Sequence, residues 1–245
     1  MKTIVMTICL LAMAAAGWSE EVIWSSFYEA SVSLEEAKAV PLTSTDAQAL
    51  KKAGVYYFSL VNGSNGMAID KKNREENAKQ AMDYLSAASE LDKGNPIMAT
   101  WKATATLSYA GASKKLANKI KYSNLGISYF NQAARSQSNM DYLFMRIVSY
   151  SQIPKSFKDM TSIIKSDAAR YMKLYDSLDI DPGLHELLKE TVKTMEAYAF
   201  YQTRDKDKAK EIWHTVDEKM LLEGQGEDTN TAEVYFMLKK KLRIK

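Results

Sequence analysis

The residues able to do chemistry are few and widely spaced. His185-Glu186-Leu-Leu-Lys189 opens like the zinc-binding helix of a metalloprotease, in which two histidines four apart hold the metal. Lys189 stands where the second histidine belongs, and an ammonium group offers no lone pair to a metal. The only other histidine, His214, follows Trp213 on a different stretch. There is no Gly-x-Ser-x-Gly elbow, no phosphate-binding P-loop and no G-x-G-x-x-G. Carboxylates are plentiful, but at four-residue spacing from lysines they suit a solvated helix face rather than an acid/base pair. The expectation is therefore a protein that binds rather than catalyses, with no cofactor and no metal.

Composition bounds what could be bound. The 245 residues are 46% hydrophobic and 26% charged, as in ordinary globular chains, and a net charge of +3 is too small to argue for nucleic acid. Residues 1–17 have the parts of a signal peptide: Lys2, an apolar run from Thr3 to Met13, and Ala14-Ala15-Ala16 as an A-x-A cleavage site. That run is shorter than the ~20 residues a spanning helix needs. The one cysteine, Cys9, lies inside it and is not preceded by a lipobox, so the mature chain is expected without disulfides, thiolate chemistry or a lipid anchor. The expected location is the periplasm or the exterior, with no stable membrane insertion after cleavage.

The stretches that position these residues are helical. Ala81, Leu85 and Ala88 fall at i, i+4 and i+7 and share one face. Lys93-Gly94 is expected to end that helix, with Gly94 in the left-handed cap position, and Pro96 to begin the next. The same small-x3-large-x2 spacing returns as Gly126-x3-Phe130-x2-Ala133 and Ala209-x3-Trp213-x2-Val216, with a poorer copy at Ala168-x3-Met172-x2-Tyr175. Similarity at a period near 43 residues signals a helical solenoid. Upstream stands Leu50-x2-Ala53-Gly54-x2-Tyr57. Over residues 45–222 the whole resembles the tetratricopeptide (TPR) pattern, W-x2-L-G-x2-Y followed by A-x3-F-x2-A, with repeats longer than the usual 34 residues. The resemblance implies an all-α, right-handed αα-hairpin solenoid of about four repeats, at 45–95, 96–137, 138–181 and 182–222. An N-terminal helix and linker (18–44) precede it, and a C-terminal basic capping helix (223–245) follows.

Local signals place the helices. A short one over Leu34–Lys38 is ended by Pro41, and Thr43-Ser-Thr-Asp46 caps one over 47–61. Asn62-Gly63-Ser64-Asn65-Gly66 is the clearest loop. Further helices are expected over 70–93, 96–112, 113–137 and from Asn139 to near Pro154. Ser156 is expected to cap one running to 178, Asp181-Pro182 to open one reaching 203, and Asp205 to open a single helix ending before Gly224. A terminal helix follows Asp228. No alternating β-branched run is present.

The TPR register implies which side chains line the concave face. Its fifth positions are Lys51, Lys102, Arg146 and Thr194; its ninth are Val55, Thr106, Tyr150 and Tyr198; its twelfth are Phe58, Tyr109, Ile153 and Tyr201. This is a basic edge beside an aromatic stripe, suited to an extended peptide or protein segment with acidic residues. The same spacing equally suits a packed core. The tail Lys239-Lys-Lys-Leu-Arg-Ile-Lys245, beside Val234, Tyr235, Met237 and Leu238, is expected to complement its helix dipole rather than bind lipid. The function expected is an exported, non-enzymatic TPR-like scaffold in the cell envelope. The competing expectation is a carrier of an apolar small molecule or an accessory of a transport system.

Overall fold

The computed structural model describes residues 33–63, 67, 69–136, 140–176, 183–225 and 230–244. The signal-peptide segment, most of the Asn62–Gly66 loop and Asp181-Pro182 lie outside them. Among the described residues there are eleven α-helices and no strand: α1 (Leu34–Ala39), α2 (Ala47–Asn62), α3 (Arg74–Leu91), α4 (Pro96–Ala112), α5 (Leu116–Gln132), α6 (Met140–Ser151), α7 (Thr161–Asp176), α8 (Gly183–Gln202), α9 (Lys206–Trp213), α10 (Glu218–Gln225) and α11 (Asn230–Lys241). A 3-10 turn, Ala133–Ser136, extends α5.

Capping chemistry sets most of these boundaries. Ser33 and Glu36 form a reciprocal capping box at α1. The Asp46 carboxylate accepts from the Gln48 and Ala49 N–H groups at 2.9 and 3.1 Å. Asn95 does the same for Ile97 and Met98, with Pro96 in the first turn where a missing N–H costs nothing. Gly63 ends α2 with φ 68° and ψ 42°, the left-handed conformation that glycine adopts without strain.

Three expectations are corrected. Gly94 does not take the left-handed cap position: Gly63 is the only glycine with positive φ among the described residues. The Asp92 N–H closes α3 on the Ala88 carbonyl instead, and the Asn95 N–H on the Asp92 carbonyl turns the chain into α4. Ser156 does not start α7. Residues after Pro154 form a turn in which the Phe157 N–H meets the Pro154 carbonyl, and Asp159 accepts from the Thr161 N–H at 3.0 Å. The helix expected from Asp205 to Gly224 is two helices, broken at residues 214–217. There the Asp217 N–H donates to Glu190 at 2.7 Å, Lys193 Nζ donates to the Thr215 carbonyl at 2.9 Å, and the Asp217 side chain caps α10 at Met220.

Consecutive helices pack as pairs, α2 on α3, α4 on α5, α6 on α7 and α8 on α9, and α4, α6 and α8 also touch one another in sequence. Contacts between ends fix the antiparallel sense. Tyr109, late in α4, meets Tyr122, early in α5, at 4.8 Å between ring centroids, while Lys102, early in α4, lies over Tyr129, late in α5. In every pair the small residue of the recurring pattern is buried: Ala81, Gly126, Ala168 and Ala209. Of the large residues Leu85, Phe130 and Trp213 are buried, as are Ala88 and Ala133, whereas Val216 is half-buried at the break after α9.

Two glycines mark the closest approaches. A Cβ at Gly54 would sit 2.6 Å from Leu85 Cγ and 3.2 Å from its backbone nitrogen; one at Gly126 would sit 2.6 Å from Leu107 Cγ and 3.1 Å from the Ala103 carbonyl oxygen. Tyr57, one turn after Gly54, stacks on Tyr84 at 5.8 Å. Gly54→Ala should therefore destabilise the protein by about 1–3 kcal/mol from overpacking, although alanine is the better helix former by ~1 kcal/mol. In a Leu85→Ala background the same substitution should be neutral or stabilising. Urea denaturation of the four proteins checks the pair.

Candidate functional site

The residues expected from the sequence to line a concave face lie on α2, α4, α6 and α8, with Ile153 just past α6, and most are enclosed. Val55, Phe58, Tyr150 and Ile153 belong to the main core. Phe58 packs edge-on to Trp101 at 5.5 Å and Tyr150 edge-on to Phe130 at 5.4 Å. Burial pushes the Tyr150 hydroxyl well above the usual phenol range. Lys51 and Thr106 are buried, the latter donating to the Lys102 carbonyl at 2.7 Å. Thr194 is fully buried and donates to the Glu190 carbonyl at 2.9 Å. Tyr109 closes a small separate cluster with Val61 and Ala78. Only Lys102, Tyr198 and Tyr201 keep partial exposure. The stripe is thus largely interior packing.

Two of its cations, Lys102 and Arg146, are engaged within the fold. Lys102 donates to Glu90 at 2.6 Å and lies 4.6 Å from the Tyr129 ring. Arg146 makes a two-pronged contact with Asp167, Nε to Oδ2 and Nη2 to Oδ1, both at 2.6 Å, and its third nitrogen donates to the Tyr142 hydroxyl. Tyr142 in turn donates to the Phe130 carbonyl at 3.0 Å. This buried relay ties the end of α5 to α6 and α7. A matched guanidinium–carboxylate fork offsets much of the cost of removing both charges from water, but loss of one partner leaves the other uncompensated.

The side chains of His185 and Glu186 lie outside those described; Lys189 Nζ sits 4.5 Å from the Tyr175 ring, and His214 is exposed just past α9 beside Trp213. No group of three His, Cys, Asp or Glu able to hold a metal occurs among the described residues. The C-terminal helix is anchored. Tyr235 stacks on Trp213 at 4.8 Å, Leu238 is fully buried, and Lys239 pairs with Glu218 at 3.3 Å. The apolar side of the basic tail is therefore occupied by the fold.

A cluster of exposed cations lies elsewhere. Between Asp92 and Asp141 the sequence contains no Asp or Glu, a gap that could have been noticed at the outset. Within it, Lys114, Lys115, Lys119 and Lys121 are exposed at the start of α5 around Leu116 and Ile120, which are 71% and 42% exposed. Lys115 occupies the N-cap of α5 without a side-chain cap bond, and the first turn carries no acid. Cations at this positive helix end are disfavoured by about 0.3–1 kcal/mol each. One carboxylate is near: Glu75 on α3 accepts from the Ser113 hydroxyl at 2.9 Å and the Lys114 N–H at 3.2 Å. Those bonds, the Ser113 hydroxyl first, hold its pKa below the ordinary glutamate value.

The chain matches no known family model, no curated protein and no solved structure.

Three outcomes follow from these groups. Asp167→Ala should cost about 3–5 kcal/mol by stranding Arg146, whereas Glu90→Gln at the exposed pair should cost less than ~1 kcal/mol. Tyr171 is 1% exposed and its hydroxyl finds no hydrogen-bond partner among the described residues. Tyr171→Phe should accordingly be neutral or stabilising by about 1 kcal/mol. Equilibrium unfolding monitored by circular dichroism measures all three.

Proposed function

We propose that this chain is an exported, non-enzymatic scaffold of TPR-like αα-hairpins that holds a protein or peptide partner in the cell envelope. The observation supporting it is the burial of Ala81, Gly126, Ala168 and Ala209, one in the second helix of each successive pair. A hairpin that recurs with the same close-contact residue cannot cover its apolar face alone, so neighbours stack and leave an extended outer surface. Such surfaces serve recognition. Export rests on residues 1–17, whose charged start, apolar run and alanine triplet have the order of a secretion signal.

Burial of most concave-register side chains moves the expected contact surface away from the aromatic stripe. What stays open there is Tyr198 and Tyr201 on α8 and the edge of Lys102 on α4. Tyrosine gives contact area at small entropic cost, which suits a shallow recognition edge.

Affinity capture of the tagged full-length protein from the envelope of its native host should recover one protein partner in near-stoichiometric amount, and Tyr198→Ala/Tyr201→Ala, assayed at a temperature where circular dichroism shows the variant folded, should weaken recovery. Recovery of an apolar small molecule with no protein would replace the scaffold by the carrier reading.

A further inference from the structure

We propose that the start of α5 is a docking surface for an anionic lipid bilayer, holding the protein peripherally against phospholipid headgroups. Leu116 and Ile120 are one turn apart and form an exposed aliphatic ridge. Lys115 and Lys119, also one turn apart, run along one side of it, and Lys121 stands on the other. Lys114 adds a fourth exposed cation in the turn before the helix. A short apolar ridge bracketed by cations is how a helix engages a membrane interface: the aliphatic groups enter the headgroup boundary and the lysines stay with the phosphates.

The placement is not explained by the fold itself. Lysines at a helix N-terminus oppose the local dipole, yet this one has them in place of a capping side chain and first-turn acids. Nor does the hairpin supply its own counter-charge, since α4 and α5 contain no carboxylate. Glu75 is bonded to Ser113 and the Lys114 backbone, and Asp70 is bonded to Asn73 and Asn77. The Glu75 contact brings the start of α3 beside the start of α5, so exposed Lys71 and Lys72, just ahead of α3, stand at the same end, with exposed Glu76 as the carboxylate beside them. Leu116 and Ile120 begin the stripe that continues as buried Ser123 and Ile127, yet they stay exposed in the first two turns of α5, ahead of the point where Gly126 packs against Leu107. Charge complementarity with anionic lipid is the property all these features share.

The surface is independent of the partner-holding role, and purified protein with defined vesicles tests it alone. The full-length mature chain should co-sediment with vesicles of phosphatidylcholine containing phosphatidylglycerol, should not bind phosphatidylcholine alone, and should be released by high sodium chloride. Lys115→Glu/Lys119→Glu/Lys121→Glu should lower partitioning by at least about 100-fold, since loss of each cation near an anionic surface costs roughly fivefold and the added carboxylates are repelled besides. Leu116→Ser/Ile120→Ser should weaken binding while leaving its dependence on phosphatidylglycerol, and Lys239→Glu/Lys240→Glu/Lys241→Glu on α11 should leave it unchanged. All the substituted side chains of α5 are exposed, so circular dichroism should match the parent. Absence of binding, equal binding to both vesicles, or binding that survives the α5 reversals overturns the proposal. So does displacement by inorganic phosphate beyond that of chloride at equal ionic strength, which would mark a phosphate site, or tighter binding to an acidic peptide such as polyglutamate than to the vesicles.

Discussion

Everything in this molecule depends on how closely its helices can approach. Where Gly54 meets Leu85 and where Gly126 meets Leu107, the absent side chain lets a leucine lie against backbone. Ala81, Ala168 and Ala209, the small residues of the other three pairs, are likewise buried. Small residues at these crossings set the interaxial distance, and the large ones then fill the spaces on either side. Trp101, Phe130, Tyr142, Tyr150 and Tyr171, all 2% exposed or less, occupy those spaces. With no cysteine after Cys9 to form a covalent staple, packing of this kind must supply the cohesion.

Polar groups inside the packing act as locks on particular junctions. The Arg146–Asp167 fork, extended through Tyr142 to the Phe130 carbonyl, joins three consecutive helical segments at one point. Glu190, 2% exposed, receives Lys193 on one oxygen and the Asp217 N–H on the other, so α8 dictates where the chain must break before α10. Such groups rarely add much stability over an apolar core, but they discriminate strongly against wrong pairings. They also explain why a cation in the recognition register need not face a partner: its counter-charge comes from a neighbouring helix.

What was legible in the sequence was local. Asp46 and Pro96 announce helix starts because a cap or a first-turn proline acts within a few residues, and those boundaries fall where expected; the Ser33–Glu36 pair carries a signal of the same kind. The recurrence of small residues announced the pairing of helices, since one face of one helix carries the whole signal. The break at 214–217 was legible only in part. Thr215-Val216-Asp217 offers a β-branched pair and a cap, but the groups enforcing the turn sit over twenty residues upstream. The engagement of Lys102 and Arg146 was not legible, because Glu90 and Asp167 lie 12 and 21 positions away on other helices. Handedness and curvature of a stack are likewise properties of crossing angles, which composition and period do not encode.

Helix α8 belongs to two hydrophobic clusters at once. Leu188, Val192, Met195 and Ala199 face the large one shared with α2–α7, while Ala197, Tyr198 and Tyr201 face a smaller one built with Trp213, Leu221, Tyr235 and Leu238. A shared wall of this kind divides cooperativity. The last three helices can detach and re-form as a unit against an intact remainder, at a free energy below that of global unfolding. Amide protons of α9–α11 would then exchange with solvent ahead of those in α4 and α6, giving the molecule a C-terminal flap that loosens first under heat, denaturant or protease.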